Sequence, residues 1–359
     1  MLTSEALWRK VPEGYLTTGI GSLPHPYIDA AIQFSFAHSI PFLPQLPARN
    51  PQEFMVNQAL ELLPGLTPGA AGLVDLDVPM WEANRHSLEK TLAKAFDVSE
   101  TSWSAFERFE PSPSVWSCWT PFLWELSERR SPIAKIQIAG PMTCQWAIRM
   151  KDGSSADHNP VLGMQVYRLV LARAIAMCRR LRAVGAVPII FLDEPGFYGF
   201  SSSNHRQRLA LEELKLFIQT LKKEEALVGI HCCSNTEWSA LLELPIDVLS
   251  IDVSLSLSFL LNEPTLLESF VLKGGRLALG VIPTGSHPLK IRAFEPRLLW
   301  QQMLETFEKT FPDRSTLVHR ILTEALYTSA CGLALHSVQD AEAILSHLIE
   351  VGEFERSFR

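Results

Sequence analysis

The strongest constraint on this chain is an alternation that runs along almost its whole length. Short apolar, β-branched runs are separated by longer amphipathic stretches. Eight segments read as strands: 16–22 (LTTGIGS), 41–46 (PFLPQL), 135–140 (KIQIAG), 188–193 (PIIFLD), 227–233 (LVGIHCC), 247–253 (DVLSIDV), 276–282 (RLALGVI) and 325–331 (ALYTSAC). Helical patterns fill 161–184, 204–225, 236–243, 259–271, 295–310 and 338–350. Strands that alternate with helices form parallel sheets through right-handed crossovers. Eight of them predict an α/β fold, a (β/α)8 TIM barrel, as a single domain over residues 1–359. An open doubly wound sheet is the competing arrangement. It is disfavoured because no G-x-G-x-x-G follows the first strand.

Residues 62–134 break the alternation. They hold Pro64, Pro68, Pro79, Pro111 and Pro113, and five of the nine tryptophans: Trp81, Trp103, Trp116, Trp119 and Trp124. This stretch reads as a mostly helical insertion after the second strand. Packing against the barrel rim is the plain role for it, and a lid or partner-docking surface the more specific one.

Composition narrows the class. The chain is 47% hydrophobic and 20% charged, with net charge −7 and no block of lysine or arginine. That fits a globular protein and argues against a nucleic-acid partner or an anionic membrane surface. The start, MLTSEALWRK, lacks an apolar signal core, and runs such as VPIIFL are far too short to span a bilayer, so the expected location is the cytoplasm. Six cysteines in 359 residues do not make a disulfide scaffold. In a reducing compartment, cysteines close to a histidine point to metal binding or catalysis.

In a barrel of this kind, chemistry gathers at the C-terminal ends of the strands. Ser22, Asp193, the pair His231 and Cys233, Asp252 and Cys331 all fall at such ends. His231 and Cys233 are two apart on a strand and share a face, whereas Cys232 turns into the layer between strands and helices. Imidazole nitrogen, thiolate sulfur and a carboxylate are zinc donors, and the sulfur argues against magnesium or calcium. Asp252 has an alternative role as a cap for the segment that follows it. Asp193 has the same alternative in D-E-P. Cys118, Cys144 and Cys178 have no polar cysteine or histidine near them in sequence and read as core.

Seven segments carry a resemblance: TTGIGSLPH (17–25), IAGPMT (138–143), LDEP (192–195), IHCCSN (230–235), LSIDVS (249–254), LGVIP (279–283) and SACGL (329–333). Their order resembles the catalytic half of cobalamin-independent methionine synthase. The wider group includes uroporphyrinogen decarboxylase and the methylcobamide:coenzyme M methyltransferases. The resemblance implies a (β/α)8 barrel with zinc on His231, Cys233 and Cys331, and Asp252 standing where the family has a glutamate ligand. It also implies that Ile20, Gly21 and Ser22 hold the amino acid part of homocysteine, and that Asp193 grips its amine. Four departures stand out. The family's N-terminal half is absent, its glutamate shortly after D-E-P falls on Gly199, and its tryptophan after G-P-x-T appears one position early as Trp146. The histidine expected after G-V-x-D is displaced by two positions to His287, a candidate catalytic residue.

The function implied is a zinc-dependent thiol S-methyltransferase that converts homocysteine to methionine. The donor is either a methylated corrinoid protein, as in short core-only members, or methyltetrahydrofolate. Two other readings stay open from this group. H-C-C-S-N-T (231–236) also resembles the coenzyme M branch, which would mean another thiol acceptor. A tetrapyrrole decarboxylase would need arginines near the N-terminus, where residues 1–30 offer only Arg9.

Overall fold

The computed structural model describes residues 2–69, 73–97, 104–285 and 294–358. Among these, the strands are β1 (Leu16–Thr17), β2 (Leu66–Pro68), β3 (Val74–Leu76), β4 (Ile133–Ala139), β5 (Ile148–Arg149), β6 (Val187–Asp193), β7 (Leu227–Cys232), β8 (Val248–Asp252), β9 (Arg276–Ile282) and β10 (Leu326–Ser329). Seven form one curled sheet in the order β1-β10-β9-β8-β7-β6-β4, and every neighbouring pair is parallel. The strands are buried along nearly their whole length, as a parallel sheet covered by helices requires.

Period-two alternation sorts the side chains into two cores. Residues on one face of successive strands, Ile133, Ile189, Phe191, Leu227, Val248, Ala278 and Leu326, pack with Leu16 and Ile40 in a single inner cluster. Leu7 and Trp8, from the helix Ser4–Trp8, join it at the N-terminal ends of the strands. The opposite face, with Ile190, Leu192, Val228, Ile230, Cys232, Leu249 and Ile251, packs against the surrounding helices. Leu214, Phe217 and Ile218 from the helix His205–Lys223 belong to this outer layer.

The regular sheet has seven strands, not eight. Residues 41–46, expected as the second strand, pair with both sheet edges through isolated bridges, Phe42 with Lys135 and Ser22 with Gln45. Leu43 donates to the Lys135 carbonyl (2.9 Å) and Gln45 to that of Gly21 (3.0 Å). Pro41 and Pro44 explain the interruption, because proline has no N–H to give to a ladder.

The segment 62–134 contains the helices Val78–Ala95, Ser104–Glu107 and Trp119–Arg129. It also contains two short strands that sequence reading did not anticipate. β2 and β3 are antiparallel, and β3 pairs in parallel with β5 from the far side of β4. Trp81, Trp116 and Trp119 are buried and Trp124 is exposed; Trp103 lies outside the described residues. Trp81 is tied to the helix Pro160–Ala183 by Nε1–H donating to Gln165 Oε1 (2.9 Å). The same helix carries Arg173, fully buried, 3.1 Å from Glu61 and over the Trp116 ring. By length and composition it is long and apolar enough to cross a membrane, but 78% of its apolar window is buried inside this fold.

Candidate metal centre

The site is built on β7. Its inward column is Leu227, Gly229 and His231, and the next inward position, Cys233, lies just past the strand end. The Phe191 ring occupies the space in front of Gly229: a Cβ added there would lie 2.8 Å from it. His231 pairs in register with Asp193 on β6 and with Ser250 on β8. Cys331 arrives from the other side of the sheet. The register of β10 shifts between Thr328 and Ser329, and Ser329 Oγ–H then donates to the Cys331 carbonyl (2.9 Å).

These features bring the donor atoms of His231, Cys233 and Cys331 within 4.8 Å of one another. His231 is buried and the two cysteines are half-buried. His231 Nδ1 is hydrogen-bonded to Ser250 Oγ at 3.0 Å, which fixes the ring, while Nε2 is buried with no hydrogen-bond partner among the described residues. The two thiols lie close enough to interact. The interaction with Cys331 holds the Cys233 thiol below its ordinary range. The same interaction, together with burial, pushes Cys331 up to about 12. Cys232 turns outward, as expected, and its Sγ–H donates to the Ser234 carbonyl (3.2 Å). Cys118, Cys144 and Cys178 are buried in the core.

Asp252 is not one of the three converging donors. Its Oδ1 accepts the N–H groups of Ser254 (2.8 Å) and Leu255 (3.1 Å), capping the helix Val253–Leu260. Burial raises its carboxyl, and these two N–H groups pull it back. Asp193 is buried beside His231, and its Oδ1 has no partner among the described residues. Burial raises its carboxyl too, opposed by the charges of His231 and Lys135. The short 3-10 helix Pro195–Phe197 that begins at the proline of D-E-P receives no side-chain cap, and the neighbouring carboxylate serves a different helix. Glu194 accepts from the N–H groups of Met142 (3.1 Å) and Thr143 (2.8 Å) and from Thr143 Oγ1 (2.5 Å), at the start of the helix Pro141–Ala147. Burial pushes Glu194 up to about 7.

Ile20, Gly21 and Ser22 lie above β1. The Ile20 carbonyl accepts from Lys135 Nζ (2.6 Å). Gly21 has φ +150°, and a Cβ there would meet the side chains of Gln137 and Gln45. Ser22 Oγ packs against Gly332, beside Cys331. Trp146 packs against Gly196 and lines a cavity of about 410 Å³ with Gln145, Asp157, Arg206 and Glu213, a cavity that none of the three donors lines. His287 lies outside the described residues.

Sequence reading missed Ser250, Glu194 and Lys135. Ser250 was within reach, since it sits two residues before Asp252 on the same face of β8. Lys135 was visible as a charge in an otherwise buried strand pattern.

The donor set fits zinc. Two sulfurs and an imidazole are its preferred ligands, at about 2.3 and 2.0 Å. A ligating histidine holds its second nitrogen on a neighbouring group, and here Nδ1 is held by Ser250, which leaves the buried Nε2 for a metal.

No family model and no curated protein matches the chain. Among solved structures it is similar to a B12-independent methionine synthase from Shewanella sp. W3-18-1, determined with selenomethionine, at 16% identity and TM-score 0.44 over 66% of this chain and 67% of that one. It is also similar to a methyltransferase from Methanosarcina mazei at 11% identity and TM-score 0.48, over 94% of each chain. These similarities assign no role to any residue of this chain.

Proposed function

We propose that this protein is a zinc-dependent thiol S-methyltransferase, with homocysteine as acceptor and methionine as product. The observation that carries this reading is the meeting of the donor atoms of His231, Cys233 and Cys331, within 4.8 Å of one another, next to Asp193, whose Oδ1 has no partner among the described residues. His231, Cys233 and Cys331 would hold the metal, with Asp252 as a further candidate. Bound zinc would keep the substrate thiol ionised at neutral pH, where a free thiol is only a few per cent thiolate.

The chain's own groups supply orientation. Ser250 fixes the His231 ring. Asp193 Oδ1 accepts the ammonium of the amino acid substrate, and Ile20, Gly21 and Ser22 hold its other polar end. Placing the sulfur in line with the incoming methyl carbon removes much of the entropic barrier. In the transfer, the sulfur–carbon bond forms as the bond from methyl to donor breaks, and that bond's electron pair leaves with the donor. The donor is a methylated corrinoid protein or methyltetrahydrofolate. We read residues 41–46 as the second strand of a (β/α)8 barrel whose mouth holds this site.

Asp193 favours homocysteine over a sulfonated thiol such as coenzyme M, which has no ammonium to offer it. The decarboxylase reading is weakened further because Arg9 pairs with Glu5 (2.6 Å) on the helix that joins the inner cluster at the N-terminal ends of the strands. The test is to load the protein with zinc and offer homocysteine with methylcobalamin in one assay and methyltetrahydrofolate in another. Methionine should form in at least one, and only with metal present. Full activity in metal-free protein, or no methionine with either donor, rejects the reading.

A further inference from the structure

Lys135 is a buried charge outside the three metal donors, close enough to Asp193 for the two charges to interact. It sits on the inward face of β4 and is about 1% exposed. Nζ donates to the Ile20 carbonyl at 2.6 Å and to Gln137 Oε1 at 3.0 Å, and lies 4.9 Å from the centre of the Phe191 ring. Burying an ammonium is costly, and a well-packed apolar side chain of similar size is often as stable or more so. Stability alone therefore gives no reason for a lysine here.

Its partners show what it holds. Gln137 Nε2–H donates to the Leu43 carbonyl (2.7 Å), and Gln45 Nε2–H donates to Gln58 Oε1 (2.6 Å), whose own Nε2–H reaches the Val115 carbonyl (2.9 Å). Lys135, Gln137, Gln45 and Gln58 are all buried. They fill the part of the interior where residues 41–46 make only isolated bridges, and add side-chain hydrogen bonds to the few backbone ones there. The Ile20–Ser22 backbone is seated on this network. Gly21 has its Cβ position blocked by Gln137 and Gln45, and Ser22 rests against Gly332 next to Cys331.

We infer that Lys135 is a positioning residue for the amino acid end of the substrate: through the Ile20 carbonyl it sets the Ile20–Ser22 segment, while the metal donors stand independently of it. This inference rests on the thiol methyltransferase reading above. It separates two parts of substrate binding, the sulfur held at the metal and the polar end held by the segment that Lys135 supports.

The experiment uses the zinc-loaded full chain and two thiols. Homocysteine needs both parts of the site, and propane-1-thiol, lacking amine and carboxylate, needs only the metal. In Lys135→Met, homocysteine binding by calorimetry should weaken about tenfold or more, the scale of a lost charged hydrogen bond. Propane-1-thiol affinity and zinc stoichiometry should stay within about twofold of wild type. Should Lys135→Met lose cooperative unfolding, Gly21→Ala disturbs the same segment with the charge intact and should show the same split. Equal weakening of both thiols, or of neither, overturns the inference. Wild-type protein that binds neither thiol rejects the functional reading itself.

Discussion

Asp193 and His231 stand side by side on adjacent parallel strands, and among the described residues each keeps one buried polar atom without a hydrogen-bond partner, Oδ1 on the aspartate and Nε2 on the histidine. Buried polar atoms left unsatisfied cost stability, so most are paired. Two together at one strand end are the reason the proposed acceptor is placed here. The half-buried thiols of Cys233 and Cys331 lie within 4.8 Å of a ring nitrogen of His231.

The cysteines should be indispensable to the metal. Cys233→Ser and Cys331→Ser should each lose zinc and activity together, by more than the roughly 10–100-fold typical of outer partners. Metal content by atomic absorption, measured beside turnover, checks this. A serine variant that is fully active without zinc would end the mechanism.

Ser250 should matter without touching the metal. Its hydroxyl holds His231 Nδ1, so Ser250→Ala should weaken zinc binding about 10–100-fold with little change in the fold. Competition with a chromogenic chelator gives the number, and unchanged affinity would remove the role.

Asp252 separates two functions. As the cap of Val253–Leu260, its replacement by alanine should cost about 1 kcal/mol of stability. Zinc affinity in Asp252→Ala should fall less than in either cysteine variant. A loss as large as theirs would make it a direct ligand.

Asp193→Asn should lower homocysteine affinity about tenfold or more while zinc stays bound, because a charge-assisted contact to the substrate ammonium is lost. Binding of the acceptor to zinc-loaded protein is the measurement. Unchanged affinity would leave the buried oxygen without its assigned partner.

Lys135 should leave a mark on the pH dependence of stability. Burial lowers it from 10.5 to about 8, opposed by Asp193. Above pH 8 the folded protein gives up this proton while the unfolded chain keeps it until about 10.5. The unfolded state then binds more protons, so this group's contribution to stability rises with pH across that window. Its full size is on the order of 3 kcal/mol. Urea unfolding of wild type and Lys135→Met at several pH values should show wild type gaining on the variant between pH 8 and 10.5. Parallel curves would contradict a buried ammonium.

Much of this protein was legible from local patterns. Seven of the eight strand segments appear in the sheet, because a buried parallel strand reads as a short β-branched run between helical periods. The eighth, 41–46, was recognisable as extended but not as irregular, since its pairing depends on which N–H groups Pro41 and Pro44 remove. β2, β3 and β5 are only two or three residues long, too short to carry a periodic signal.

Sequence alone determined which side chains share a face. His231 and Cys233 point inward and Cys232 outward because strand geometry repeats every two residues, whatever the rest of the chain does. Only the tertiary structure decided which faces meet and which atoms remain free. Cys331 reaches Cys233 through the sheet order and the register shift in β10, Ser250 takes one nitrogen of His231, and Asp252 commits an oxygen to helix amides. These outcomes depend on distances between segments far apart in sequence, and no local pattern encodes such distances.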